Sequence, residues 1–171
     1  MNNGLKKIYI AGFDVFKEDS IAIGKKYVEL CKQYGFIGLY PLDNQINTQN
    51  KTKKEIAEEI FQANKKMIEQ CDIVIANLNP FRGKEADSGT VWECGYAKAL
   101  NKEVYIYMDN TKEYVEQFKD DEKHLSSNGY VDKNNMIIED FGHPINLMIA
   151  CSSTIIQGGF VDVLEHLTKD D

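Results

Sequence analysis

The chain has 171 residues, 27 acidic side chains against 20 basic ones, and a net charge of −7. That length builds one compact domain with a real core, and 43% apolar with 11% aromatic content excludes a disordered chain. No apolar run approaches the roughly 20 residues of a membrane span, and the polar stretch Met1 to Lys7 lacks the apolar character of a signal peptide, so the reading is a single cytoplasmic domain over residues 1–171 with no membrane partner.

All but one of the 20 basic residues are lysine, and Arg82 is the only arginine. Arginine is the usual bidentate reader of phosphates and base edges. With one arginine and an acidic balance, nucleic acid is excluded as a partner. Cys31, Cys71, Cys94 and Cys151 fall in apolar segments without a CxxC spacing, and read as buried free thiols. His124, His143 and His166 stand apart, so no metal motif appears.

In chain order, Ile8 to Gly12 reads as a buried strand. Ile23, Tyr27, Leu30, Cys31 and Tyr34 recur at helical spacing, which predicts a helix from Ser20 to Tyr34 that stops at Gly35. Phe36 to Tyr40 reads as a second strand halted by Pro41. Ile56, Ile60, Ala63 and Met67 line one side of a helix over Thr52 to Gln70, opened by the capping-box pair Thr52 and Glu55. Asp72 to Leu78 is apolar throughout its middle, as buried parallel strands are. A helix from Ser88 to Leu100 and a strand from Val104 to Met108 follow.

Asp109 to Gly142 is charged and weakly patterned, and reads as a short helix around Thr111 to Phe118 or a surface loop. Pro144 to Cys151 and Phe160 to Leu167 read as helices. This alternation predicts a three-layer α/β fold with a central parallel sheet. Ligands in such folds bind beyond the carboxyl ends of the strands, which here directs attention to residues 13–19, 41–51, 79–88 and 109 onward.

Those loops are rich in carboxylates. Asp14 and Asp43 follow the first two strands, Asp87 precedes the Ser88 helix, and Glu93 lies inside it. An aspartate just before a helix reads first as a cap. Glu93 is different, because Val91, Trp92, Cys94, Tyr96 and Ala97 give it an apolar setting. A glycine inside a helix costs about 1 kcal/mol relative to alanine, so Gly95 implies close approach of another group to that face. The positive helix end lies one turn before Glu93 and favours its ionised form, which a nucleophilic carboxylate requires. Two carboxylates sharing a cleft suit chemistry at a sugar carbon.

Asp87-Ser88-Gly89-Thr90-Val91-Trp92-Glu93-Cys94-Gly95-Tyr96-Ala97 resembles the active-site helix of the nucleoside 2-deoxyribosyltransferases. Ile8 to Gly12, Pro41-Leu42-Asp43, Cys71 to Leu78 and Pro144-Ile145-Asn146-Leu147-Met148 agree with that family in order, so the resemblance covers about Lys7 to Cys151. It implies a flavodoxin-like sandwich and enzymes that need neither metal nor organic cofactor. The activity it implies is transfer of 2-deoxyribose between nucleobases with retention at the anomeric carbon.

Carried over residue by residue, Glu93 matches the nucleophile that holds a covalent deoxyribosyl intermediate, and Tyr9 the tyrosine that positions it. Asp87 matches the aspartate near the sugar 3′-hydroxyl, and Asp72 a second aspartate that helps protonate the departing base, a role Asp87 could share. Asn146 and Met148 match residues that reach a neighbouring subunit's sugar, which implies a homo-oligomer, dimer or hexamer, with shared sites. Phe13 is a candidate to stack on the base, and Asp14 or Gln45 to bond its edge, with core packing the alternative for Phe13 and Phe16.

Two other readings compete. A nucleoside or deoxynucleotide N-glycosidase would use the same Glu93 and pass the sugar to water. A non-catalytic nucleotide-sensing module would tolerate its loss, but a phosphoacceptor needs an aspartate at the end of the third strand, and Asp72 lies at the start. The acidic set Asp14, Asp72, Asp87 and Glu93 favours uncharged nucleosides over nucleotides.

Overall fold

The computed structural model describes residues 4–43 and 48–169. Within them the chain runs β1 (Lys7–Gly12), α1 (Ser20–Gln33), β2 (Ile37–Leu39), α2 (Lys53–Gln70), β3 (Ile73–Asn77), α3 (Ser88–Ala99), β4 (Glu103–Met108), β5 (Lys123–Ser126), β6 (Gly129–Asp132), α4 (Leu147–Ala150), β7 (Thr154–Gln157) and α5 (Phe160–Lys169). Short 3-10 turns occupy Phe13–Phe16, Pro41–Asp43 and Tyr114–Gln117.

Five strands pair in the order β2-β1-β3-β4-β7, all parallel. Strand residues alternate between the two faces. Tyr9, Ala11, Val74, Ala76, Val104 and Ile106 point to one face, where α2, α3 and α4 cover them through Ile68, Cys94, Ala97 and Ala150. Ile8, Ile10, Ile73, Ile75 and Tyr107 point to the other, under α1 and α5 through Cys31, Phe160, Val163 and Leu164. Burial on both faces is why the central strands read as unbroken apolar runs. Each such side chain taken from water stabilises the fold by roughly 1.5–3 kcal/mol.

The local signals act as their chemistry dictates. Thr52 Oγ1 accepts from the Glu55 backbone N–H at 3.3 Å while Glu55 accepts from the Thr52 N–H at 2.7 Å, closing a reciprocal cap on α2. Gly35, with φ of 83°, takes the left-handed conformation that ends α1. Gly12 ends β1 because a Cβ there would sit 2.8 Å from Asn77 Cβ on the adjacent strand.

Several sequence expectations need correction. Thr111 to Phe118, read as a short helix or a surface loop, holds only the 3-10 turn Tyr114–Gln117, and the charged stretch beyond it contains an antiparallel hairpin, β5 with β6. The helix expected over Pro144 to Cys151 contracts to α4. The edge strand β7 was not read from the sequence at all. Cys31, Cys71 and Cys94 are buried, whereas Cys151 is exposed. No helix among the described residues is long and apolar enough to cross a membrane.

Candidate active site

Beyond the carboxyl ends of β1 and β2, on the α2/α3 side of the sheet, lies a cavity of about 340 Å³. Its wall includes Gly12, Phe16, Ile60, Asn64, Asp87, Thr90 and Glu93, so the 3-10 turn after β1, α2 and the first turns of α3 all contribute. The volume lies at the lower end of the range for small-molecule sites, about 300–1,000 Å³.

Glu93 reaches this cavity from the second turn of α3. Tyr9, fully buried in β1, donates its hydroxyl to Glu93 Oε1 at 2.6 Å. That bond crosses from sheet to helix and fixes one carboxylate oxygen. Burial pushes the Glu93 carboxyl up, the Tyr9 hydrogen bond pulls it back, and the nearby Asp87 charge adds to the rise, leaving it at about 7. The expectation that the helix end would favour the ionised form meets an opposing effect: desolvation raises the carboxyl by more than the Tyr9 hydrogen bond lowers it. Burial, with the Glu93 charge and hydrogen bond added to it, drives the Tyr9 phenol far above its ordinary range.

Asp87 caps α3. Its Oδ2 accepts from the Thr90 N–H at 2.9 Å and the Thr90 hydroxyl at 2.8 Å, which also satisfies the buried Thr90. The second oxygen, Oδ1, is not used by this cap. Capping and a cavity role are therefore compatible, one on each oxygen.

Other expected site residues are elsewhere. Asp14 is 3% exposed, accepts from Asn77 Nδ2 at 2.9 Å and lies 2.6 Å from the Lys17 ammonium. Both its oxygens are taken, and it lines a separate cavity of about 520 Å³ between the strand ends and α5, on the other face of the sheet. Phe13 lines that second cavity too, with its ring stacked on Phe81 at 5.2 Å. Phe16, for which core packing was an alternative, is 60% exposed and lines the Glu93 cavity. Asp72 accepts from the Lys7 backbone N–H at 2.8 Å, at the amino edge of the sheet. At roughly 3.3 Å per residue, β3 separates it from the opposite rim by about 16 Å. The structure thus removes Phe13, Asp14 and Asp72 from the cavity. Gln45 lies outside the described residues.

Asn146 and Met148 do not line the Glu93 cavity of their own chain. Met148 is 73% exposed and borders a groove of about 330 Å³ with Cys94, Gly95 and Ser152. A Cβ at Gly95 would meet nothing within 4 Å, so the close approach expected there is not made inside this chain. Beside the cavity, Trp92 points outward between Phe61, edge-on at 5.4 Å, and Tyr96, stacked at 5.1 Å.

The residue missed by sequence reasoning is Asn64. Its Oδ1 is buried and has no hydrogen-bond partner, and it lines the Glu93 cavity. A signal existed: Asn64 sits four residues after Ile60 and three before Met67, on the apolar stripe of α2, where an amide is out of place. Arg82, in the strand-end loop over residues 79–88 to which the sequence directs attention, has its guanidinium 4.7 Å from the Phe81 ring centre and 5.7 Å from that of Phe16, which lines the cavity. Among the described residues no group of three or more His, Cys, Asp or Glu is placed to hold a metal ion.

A family model described as Nucleoside 2-deoxyribosyltransferase matches residues 8–148. The chain belongs to this family. A 2-desoxiribosyltransferase from Leishmania mexicana superposes with a TM-score of 0.73 at 30% identity, over 96% of this chain and 97% of that one. The 2-deoxyribosyltransferase of Bacillus psychrosaccharolyticus, 21% identical with a TM-score of 0.59 over 92% and 90% of the two chains, shares the fold. An uncharacterised protein of Schizosaccharomyces pombe is 27% identical over 170 residues, 91% of this chain and 80% of its own length. The parallel sheet with helices on both faces is the flavodoxin-like architecture of the family, and 2-deoxyribosyl transfer is the family's general activity.

Proposed function

We propose that this enzyme exchanges the nucleobases of 2-deoxynucleosides by a retaining double displacement through Glu93. The observation that carries the reading is the 2.6 Å Tyr9–Glu93 bond at the wall of a nucleoside-sized cavity that also contains Asp87. Tyr9 holds one carboxylate oxygen and leaves the other to attack the anomeric carbon. The C1′–N bond breaks, its electron pair goes to the departing base, and that base takes up a proton. Sugar and Glu93 are then joined as an ester. An incoming base attacks the same carbon, expels the carboxylate and releases one proton, so protons balance over the cycle.

With Asp72 at the far edge, Asp87 is the acid that serves both half-reactions, through the oxygen not used for capping. Phe16 offers a ring for the base to stack on, and the unpartnered Asn64 Oδ1 accepts a hydrogen bond from substrate. Asn146 and Met148 complete the site of a second copy, at its sugar, because neither reaches the cavity of its own chain. Uncharged nucleosides fit better than nucleotides, since the ionised Glu93 repels a phosphate.

The test is incubation of the protein with deoxyinosine and adenine. New deoxyadenosine supports transfer, whereas only free hypoxanthine and deoxyribose would replace it with the hydrolytic reading. With deoxyinosine alone, intact-mass analysis shows one deoxyribosyl unit added to the wild type and none to Glu93→Ala. Glu93→Ala loses turnover while base binding, followed by calorimetry, largely survives; full activity in that variant defeats the mechanism.

A further inference from the structure

The stretch between β4 and α4 holds one side chain that the proposed reaction does not use directly. Glu139 is half-buried and accepts two hydrogen bonds from the start of α4: Asn146 Nδ2 donates to its Oε1 at 2.6 Å, and the Leu147 backbone N–H to its Oε2 at 2.9 Å. Asn146 in turn accepts from the Met148 N–H through Oδ1 at 3.0 Å. The two bonds together fix which way the amide is turned. Oδ1 faces the helix, one N–H goes to Glu139, and the second hydrogen of Nδ2 is left to donate to a ligand oxygen.

The hairpin explains why Glu139 is there. The Ile138 N–H donates to the Tyr130 carbonyl at 2.9 Å, and the Ile138 side chain is buried, so the residue just before Glu139 is tied to β6. Gln117 Nε2 donates to the carbonyls of Lys112 and Pro144, each at 2.8 Å, which holds the segment leading into Asn146 from the other side.

We infer that Glu139 is a positioning residue that locks the Asn146 amide as a hydrogen-bond donor toward the sugar in a neighbouring copy's site, with the β5–β6 hairpin as its support. This rests on the proposed role of Asn146. A charged acceptor suits the task, because a carboxylate takes both N–H groups without offering a donor that would turn the amide round.

The test is a double-mutant cycle on the full-length protein, read as kcat/KM for transfer from deoxyinosine to adenine. Asn146→Ala is expected to lose about tenfold or more, and Glu139→Ala a similar factor. The double variant is expected to be no worse than Asn146→Ala alone, since the two residues act as one unit. Glu139→Gln keeps one acceptor for Asn146 and retains an intermediate rate; it also carries the cycle if Glu139→Ala does not fold. Thermal melting of each variant separates a folding defect from a positioning one. Wild-type kcat/KM in Glu139→Ala beside a damaged Asn146→Ala overturns the inference, as do losses that multiply in the double variant. Wild-type kcat/KM in Asn146→Ala removes the sugar contact itself and this inference with it.

Discussion

At the scale of single residues, Glu93 sets the pH behaviour. Only its ionised form is a nucleophile, and burial places its carboxyl at about 7. The rate of transfer should therefore fall on the acid side along a limb centred near pH 7, measured as kcat/KM against pH. The Tyr9 hydrogen bond is what holds the value that low, so Tyr9→Phe should move the same limb to higher pH, by about one unit, and reduce the rate. A limb that stays in place would remove Tyr9 from this role. The raised value also predicts a stability effect. The native state holds the Glu93 proton more tightly than the unfolded chain, so this residue's contribution is most favourable below about pH 4.5 and is lost as pH rises through 7. Glu93→Gln should accordingly be more stable than the wild type at pH 8 in urea unfolding, by about 3 kcal/mol at most, and the gap should close toward pH 4.

At the scale of elements, the caps place the chemistry. Thr52 and Glu55 start α2, which carries Asn64 to the cavity three turns later. Thr52→Ala should lower stability by about 1 kcal/mol, seen in urea unfolding, without touching the Tyr9–Glu93 bond. The same scale shows which parts of the fold sequence reasoning reaches. β1, β3 and β4 were legible because burial on both faces leaves an unbroken apolar run, and α2 because its cap and stripe agree. The β5–β6 hairpin was not, because His124 and Leu125 face solvent and only Val131 is buried, so no alternation shows. β7 pairs on one side only and is a short stretch behind two serines. The site divided in the same way. Tyr9 bonds Glu93 at the wall of a cavity that also holds Asp87, whereas Asp72, taken from the resemblance, lies at the opposite strand end, and Asp14 and Phe13, taken from the loop after β1, turn to a second cavity.

At the scale of the whole molecule, the proposed sharing of sites between copies, in line with the exposed Met148 and the open groove over Gly95, makes a prediction of its own. Glu93→Ala and Asn146→Ala then damage different halves of a shared site. Mixing the two proteins under conditions that allow subunit exchange should restore activity above either alone, up to about a quarter of wild type for a randomly exchanging dimer. No recovery after demonstrated exchange would show that each chain works by itself.

The net charge of −7 also looks different once the side chains are placed. Of the four carboxylates expected around the substrate, only Asp87 and Glu93 line the cavity. Asp14 is neutralised by Lys17 and Asp72 bonds a main-chain N–H at the other edge of the sheet.

Trp92 is the chain's only tryptophan, it is 46% exposed, and it immediately precedes Glu93 on α3. The protein therefore carries a single built-in fluorophore on the helix that bears the nucleophile. Its indole, wedged between Phe61 and Tyr96 on an outer face, emits at a wavelength set by how much water reaches that one helix. A blue shift on raising the protein concentration reports that a neighbour has covered this face, and quenching on adding a base reports events one residue from the reacting carboxylate, both without any label.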